Sequence, residues 1–221
     1  MKSSRVPASR ARSARCRASG APASRAPASR APRSRRTGGF AAAALGAALL
    51  LTGCGGDGEA AAVPDGWTTL DTKSLSVGAP KGYREQPASE RAKANAAVAL
   101  KEESGVRTGM VSVQLDFATG VDDAEEAAAA AGAGIGLGST RKGTSDVRLA
   151  GAESAREARR IDYEFTSNGE DRAPAKGTRM TGVVVAGVDS KGVPFAVRVN
   201  AVKGSLTDGD LDAFVESITV K

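Results

Sequence analysis

The sequence predicts an α+β domain in which helices flank an antiparallel β-sheet, and three observations lead to this class. Apolar and polar residues alternate with period two in several stretches between Trp67 and Lys221, which is the pattern of half-buried strands. The connections between these stretches are short and rich in turn residues, which favours antiparallel neighbours. Two helical segments interrupt the strands, and such elements pack as a sandwich of sheet and helices.

The clearest predicted strand spans residues 111–117, where Val111, Val113, Leu115 and Phe117 alternate with polar residues. Residues 180–188 are rich in valine and predict a strand that is buried on both faces. The remaining predicted strands lie at residues 75–79, 98–102, 147–150, 161–165 and 195–199.

Two connections are predicted to be hairpin loops. Residues 189–192, with the sequence DSKG, leave room only for a tight turn between two strands. Residues 167–177 contain Asn168-Gly169 and Pro174, and they predict a longer, mobile hairpin loop.

Two helices are predicted, one before the central strands and one near the C-terminus. Residues 122–133 begin with acids, which the helix dipole favours, and continue with alanines that allow close packing on a sheet. The second helix spans residues 208–219, and Thr207 with Asp210 forms a start that resembles a capping box. Its apolar residues form a one-sided stripe, namely Leu211, Phe214, Val215 and Ile218.

The charge of the chain is divided sharply along its length. The net charge of +6 would by itself suggest a nucleic-acid partner. Residues 1–53, however, hold 11 of the 31 Lys and Arg and no acid, which leaves residues 54–221 with a net charge of −5. Because the positive charge lies in a segment that we expect to be removed, no nucleic-acid partner is predicted.

Residues 1–53 are predicted to be a disordered basic leader with a lipoprotein signal peptide. The first 39 residues are mostly Arg, Ser, Ala and Pro with a repeated PASR, and no apolar period could build a core. Three interpretations stay open for this stretch: an extended n-region, a translation start further along the chain, and a basic arm for nucleic acid. An apolar run follows at residues 40–51, and as a helix it would span ~18 Å, too short for a bilayer core of ~30 Å.

The apolar run ends in Leu51-Thr52-Gly53-Cys54, which resembles the bacterial lipobox. This resemblance implies cleavage before Cys54 and lipid on its thiol, and two or three acyl chains anchor a protein stably. The structural alternative is a cysteine buried at the end of a core helix. After cleavage Cys54 would be the only cysteine, because Cys16 lies in the leader, so no intrachain disulfide would form.

The lipobox places the rest of the chain on the outer face of the cytoplasmic membrane. Residues 54–66 are small and polar and are predicted to be a flexible tether, and residues 67–221 are predicted to be the folded domain. Arg35-Arg36 resembles the twin-arginine export signal, but the phenylalanine of that signal is displaced to Phe40. Export by the Sec and by the twin-arginine route therefore both stay open.

The sequence contains no histidine, which excludes Ser-His-Asp and Cys-His catalysis and histidine metal sites. No catalytic residue, cofactor or metal is predicted. The GAGIGLG run at residues 132–138 lacks the nucleotide-loop spacing and is interpreted as a helix end and connection. The acids near residues 122–126 and 208–212 are interpreted as helix-start residues, with cation or partner binding as the alternative.

The order of elements in the domain, with SLSVGAPKGY at residues 74–83 and LAGAESAREARRIDYEF at residues 149–165, resembles LpqN-type lipoproteins of the PsbP-like fold. This resemblance implies an antiparallel sheet flanked by helices and a role in binding or assisting another protein. Trp67 and Tyr83 flank the first strand and are candidate ligand or partner contacts, with packing at the edge of the core as the alternative.

The predicted function is therefore a non-catalytic, membrane-anchored lipoprotein that binds a protein or an envelope component. A small lipid or ligand carrier is one alternative, and it would show a large dry cavity between sheet and helix. A histidine-free hydrolase that uses carboxylates is the other, and it would show two buried acids with shifted pKa values in one cleft.

Overall fold

The computed structural model describes residues 60–136, 138–155 and 157–221. The leader, the lipobox and the first part of the predicted tether lie outside these residues. All described residues fall in a single compact unit. Two α-helices are present, α1 at Ala124–Ala133 and α2 at Asp208–Glu216. The strands in chain order are β1 Thr68–Asp71, β2 Leu75–Ala79, β3 Arg84–Glu85, β4 Ala97–Glu103, β5 Val106–Leu115, β6 Thr140–Arg148, β7 Ala150–Gly151, β8 Glu157–Thr166, β9 Arg179–Val188, β10 Pro194–Val202 and β11 Thr219–Val220.

The strands form two sheets. The large sheet has seven strands in the order β3-β4-β5-β10-β9-β8-β6, and every neighbouring pair is antiparallel. The small sheet has the order β1-β2-β11-β7, and only β11 and β7 run parallel. The predicted α+β class with an antiparallel sheet and flanking helices is confirmed.

One face of the large sheet is covered by the small sheet and α2, and we call it the closed face. Alternate residues of β5, β9 and β10 point into this interface, among them Val113, Val185 and Val197, which are fully buried. Leu70 and Leu75 of the small sheet and Phe214 of α2 meet them. Each such side chain contributes about 1.5–3 kcal/mol through burial, so this layer is the main core of the domain.

The opposite face of the large sheet is covered in part by α1, and we call it the α1 face. Ala127, Ala128 and Ala131 of the helix are buried against β8, β9 and β10 and contact residues such as Ile161 and Val184. The alanines confirm the predicted close approach of helix and sheet. Because both faces of β9 are covered, its predicted burial on both sides is also confirmed.

The structure corrects several predicted boundaries. The second helix ends at Glu216 rather than residue 219, because Thr219 and Val220 leave the helix to pair with β2 and β7. Phe117 lies beyond the end of β5. The sequence predicted a strand only at residues 147–150, but β6 begins at Thr140, and nearly all of its side chains are exposed, so no alternation marks it.

The two predicted hairpin loops connect β9 to β10 and β8 to β9. In the first, the Asp189 carboxylate accepts hydrogen bonds from the backbone amides of Lys191 and Val193. In the second, Ser167 donates to the Pro174 carbonyl and accepts at its own carbonyl from the Gly177 amide. Contacts with the domain begin ahead of Trp67, since the Ala61 amide donates to Thr219 Oγ1 at 2.8 Å.

Candidate functional site: a groove on the α1 face

The predicted site residues lie in different environments, and some lie outside the described residues. Cys54, with Leu51, Thr52 and Gly53, lies outside the described residues. Trp67 is half-buried and packs against the core of the closed face. Tyr83 is only 4% exposed, and its ring lies over Gly109 of β5, so it is not available at the surface. For Tyr83 the core-packing alternative therefore replaces the predicted partner contact.

The glycine run and the acidic clusters serve the helix ends. Gly134 is the C-cap of α1, as the helix-end interpretation predicted. Asp123 caps the start of α1 by accepting a hydrogen bond from the Glu126 amide. Thr207 and Asp210 form the predicted capping box of α2. Within residues 60–136, 138–155 and 157–221, no group of three or more Cys, Asp or Glu could hold a metal ion.

A groove crosses the part of the α1 face that the helix leaves uncovered, and we call it the sheet groove. It consists of two adjoining cavities that share Phe165, Thr166 and Asn200. The first, the polar cavity, has a volume of about 240 Å³ and is further lined by Gly134, Ile135, Gly136, Gly138, Ser139, Tyr163 and Arg198. The second, the apolar cavity, has a volume of about 470 Å³ and includes Leu100, Met110, Ala173, Pro174 and Met180 in its lining.

The local sequence explains where the groove lies. Helix α1 ends at Ala133, and Gly134, Gly136 and Gly138 in the connection to β6 have no side chains that could fill the space beside them. Because Val197 and Val199 of β10 face the core, the period-two alternation places Arg198 and Asn200 on the α1 face. The loop between β8 and β9 lines one side of the apolar cavity.

The polar cavity contains one cation and several neutral polar groups. The Tyr163 hydroxyl donates a hydrogen bond to Asn200 Oδ1. Burial raises the pKa of Tyr163, although the Arg198 charge and the Asn200 hydrogen bond act in the opposite direction, so the phenol stays protonated. The Asn200 amide nitrogen, together with the hydroxyls of Ser139 and Thr166, adds hydrogen-bond donors to the lining.

The carboxylates with shifted pKa values lie elsewhere. The pKa of Glu164 is lowered chiefly by a hydrogen bond from Lys203, and that of Asp210 by hydrogen bonds from Thr207. Burial alone would raise the pKa of Asp189, but hydrogen bonds from Ser74 and from the Val193 and Lys191 amides outweigh it and lower the pKa. These three acids are held as carboxylates by structural partners, and they do not line the groove.

The groove was not predicted from the sequence. From the sequence, residues 195–199 were predicted only to be a strand, and residues 132–138 only to be a helix end and connection. The available signal was weak: a single arginine between valines in a strand next to one that is buried on both faces. An arginine in this position indicates a groove only when the neighbouring strands and the end of α1 are known.

Comparison with known proteins gives likenesses of fold. No family model matches the chain, and no curated protein gives a significant match. Among solved structures, this chain is similar to LpqN of Mycobacterium tuberculosis, a protein described as involved in cell envelope biogenesis. The TM-score is 0.48 and the sequence identity is 16%, and the match covers 70% of this chain and 90% of the LpqN chain. The cyanobacterial PsbP protein CyanoP of Synechocystis is similar with a TM-score of 0.46 and 11% identity, over 77% of this chain and 99% of that chain.

A protein of Bacteroides thetaiotaomicron is also similar, with a TM-score of 0.38 and 11% identity, over 66% of this chain and 45% of that chain. LpqN and a PsbP protein, whose groups the sequence resembles, are among these similar structures. Among the described residues, no helix has the length and apolar character needed to cross a membrane.

Proposed function

We propose that this chain is an extracytoplasmic lipoprotein, anchored by lipid on Cys54, whose domain binds an envelope component or a protein in the sheet groove. The anchor is supported by the order of basic leader, short apolar run and Leu51-Thr52-Gly53-Cys54. The binding role is supported by the groove, which joins an apolar cavity to a polar one as ligand sites commonly do.

The observation that carries the proposal is the position of the groove relative to the tether. The chain enters the domain at Ala61, whose amide is bonded to Thr219 in the small sheet. The small sheet lies on the closed face, while the groove lies on the opposite face of the large sheet. Residues 54–60 can extend at most ~24 Å, so an anchored domain would stay near the membrane and present its groove away from the point of attachment.

The anchor is tested by intact-mass analysis of protein extracted from membranes. We expect a mature chain that starts at Cys54 and carries added acyl mass, and we expect Cys54→Ala to release the protein or leave it unprocessed. Cys16→Ala is the matched control and should leave both mass and membrane association unchanged. An unmodified Cys54 in a chain that starts at Met1 would contradict the proposal.

The groove is tested by position-dependent photocrosslinking in intact cells. A photoreactive residue at Thr166, which is exposed in the groove, should form an adduct with an envelope component. The same residue at Lys73, which is exposed beside the small sheet, should form none. Equal adducts at both positions would show that the groove has no special part in binding.

The two alternative functions fit the geometry less well. A carrier that shields its whole lipid from water needs a closed, dry cavity between sheet and helix, whereas the two groove cavities open to solvent beside α1 and could cover a ligand on one side only. A hydrolase that uses carboxylates needs an acid kept protonated near a second acid. The acids with shifted pKa in the described residues, Glu164, Asp189 and Asp210, are shifted downwards and lie outside the groove.

A further inference from the structure

Arg198 carries a charge in an unusual place. It lies on β10, the central strand of the large sheet, opposite Ser112 of β5 and Val184 of β9. The residue is half-buried, and its Nε is inaccessible to solvent without a hydrogen-bond partner. A partly buried charge is costly unless another group compensates it, so its surroundings need to be accounted for.

Other partly buried arginines of the domain have carboxylate partners. Arg160 contacts Asp212 at 2.6 Å and Asp162 at 2.8 Å. The same holds for Arg91 with Glu85 at 2.7 Å, for Arg159 with Asp146 at 3.0 Å, and for Arg107 with Glu102 at 3.8 Å. In the part of the chain that the structure describes, no carboxylate lies within 4 Å of the Arg198 guanidinium, and no acid lines the polar cavity.

The C-terminal end of α1 compensates the charge only in part. A Cβ placed on Gly134, the C-cap, would lie 3.5 Å from Arg198 Nη2, so the guanidinium lies against the helix end. Arg141 lies against the same end, because a Cβ on Gly132 would lie 2.6 Å from its Nη2. A helix end carries about half a negative charge, so two guanidinium groups leave a clear positive excess there.

The rest of the polar cavity supplies donors and no negative charge. The Asn200 oxygen accepts the Tyr163 hydroxyl, which leaves the amide nitrogen of Asn200 to donate. Ser139 and Thr166 add hydroxyl groups to the lining. A guanidinium with nearby neutral donors is the arrangement that binds carboxylate or phosphate oxygens.

The polar cavity continues into the apolar cavity, where Met110, Met180 and Leu100 form the floor beside the shared ring of Phe165. The charged residues that line the apolar cavity carry both signs, with Arg107 paired to Glu102 and with Glu170 and Asp171 exposed on the loop. The lining cation without a carboxylate partner is therefore Arg198, and the apolar surface lies next to it.

We infer that the sheet groove binds a single-chain anionic amphiphile, with its carboxylate or phosphate at Arg198 and its apolar chain along Phe165, Met180 and Met110. The inference rests on the proposed binding role of the groove and names the chemical class of its ligand. The compensating charge that the protein lacks is then supplied by the ligand.

The test compares four probes by NMR on the full chain carrying Cys54→Ser, so that no acyl group is added. Decyl phosphate and decanoate should shift the Arg198 Nε–H signal and the amide signals of Gly134 and Gly136 together with those of Phe165. Decanol, which lacks the charge, and inorganic phosphate, which lacks the chain, should each bind at least 10-fold more weakly. Because shifts are read residue by residue, binding to the basic leader is detected separately.

Substitutions separate a ligand contact from a structural role. Arg198→Gln should weaken decyl phosphate about 10- to 100-fold, the range for a lost charge-assisted hydrogen bond. Arg198→Lys should retain part of the affinity, and Arg141→Gln should lose only a few-fold. Lys73→Gln removes the same charge from the other side of the domain and should change nothing. Amide spectra of each variant without ligand report whether it is folded.

Several outcomes would overturn the inference. Equal binding of decanol and decyl phosphate would remove the role of the charge, and inorganic phosphate binding as tightly as decyl phosphate would remove the role of the chain. Unchanged affinity in Arg198→Gln would show that Arg198 only serves the helix end. A further outcome separates this inference from the proposed function. If no amphiphile binds, but mass analysis finds acylated Cys54 and a photoreactive residue at Thr166 still forms its adduct, the inferred ligand class is wrong and the proposed function is retained.

Discussion

The two faces of the large sheet are built from the same strands and have opposite chemical character. On the closed face, Val111, Val113, Val197 and Val199 are completely buried under the small sheet and α2. On the α1 face, the residues that alternate with them include Met110, Arg198 and Asn200, which are half-buried around a groove. One face thus supplies stability, and the incompletely covered face is available for binding.

Two tyrosines, one on each face, show the same difference between the faces. Tyr83 on the closed face lies over Gly109, where an added Cβ would lie 2.2 Å from the Tyr83 hydroxyl oxygen. Tyr163 on the α1 face lies over Gly182, where an added Cβ would lie 2.4 Å from Cζ of Tyr163. The Tyr163 hydroxyl is bonded to Asn200. The Tyr83 hydroxyl is buried without a partner among the described residues, and burial raises the pKa of this phenol well above its ordinary value.

The largest expected difference between the faces comes from truncating an aromatic ring on each. Phe214→Ala removes a fully buried ring from the closed face and should lower the free energy of unfolding by about 3–5 kcal/mol. Phe165→Ala removes a half-buried ring that stacks on Tyr163 in the groove and should cost about 2 kcal/mol, from lost burial and lost stacking together. Urea unfolding of both variants measures the difference, and equal losses would mean that the groove face is as important to stability as the core.

Removing the two tyrosine hydroxyls should change stability in opposite directions. Tyr83→Phe removes a buried polar group that lacks a partner and should raise the free energy of unfolding by about 1 kcal/mol. Tyr163→Phe breaks the hydrogen bond to Asn200 and should lower it by about 1 kcal/mol. Thermal unfolding of the pair tests this contrast, and a loss of stability in Tyr83→Phe would show that its hydroxyl has a partner.

The smallest expected effect is a pH dependence at the edge of the closed face. Asp189 joins the β9–β10 hairpin to Ser74, just before β2, and its pKa is lowered in the folded state. The carboxylate therefore stabilises the fold above the unfolded pKa of about 4, and this contribution is lost as the pH falls through the lower folded pKa. Asp189→Asn should cost about 1 kcal/mol at pH 7 and almost nothing near pH 2.

Chemical denaturation of wild type and Asp189→Asn across this pH range measures the effect. Asp65→Asn is a suitable control, since Asp65 is an exposed acid in the turn ahead of β1. A stability difference that persists unchanged at pH 2 would show that the charge of Asp189 has no part in it.

Features that depend on neighbours along the chain could be predicted from the sequence alone. Period-two alternation identified β5, β8 and β10, because burial of one sheet face selects every second residue. The capping box at Thr207 and the acids that begin α1 are likewise local signals. The lipobox prediction at Cys54 also rests on adjacent residues, and it stays a prediction, because that segment lies outside the described residues.

Tertiary structure alone decided the elements whose partners are distant in sequence. Strand β6 carries no apolar pattern because nearly all of its side chains are exposed, and β11 exists because Thr219 pairs with Ser76 and Ala150. The groove likewise depends on α1 ending above β10 and on Arg198 lying where no acid reaches it. The sequence determines which residues of a strand share a face, but only the packing of distant segments determines what covers that face and which charge is left without a partner.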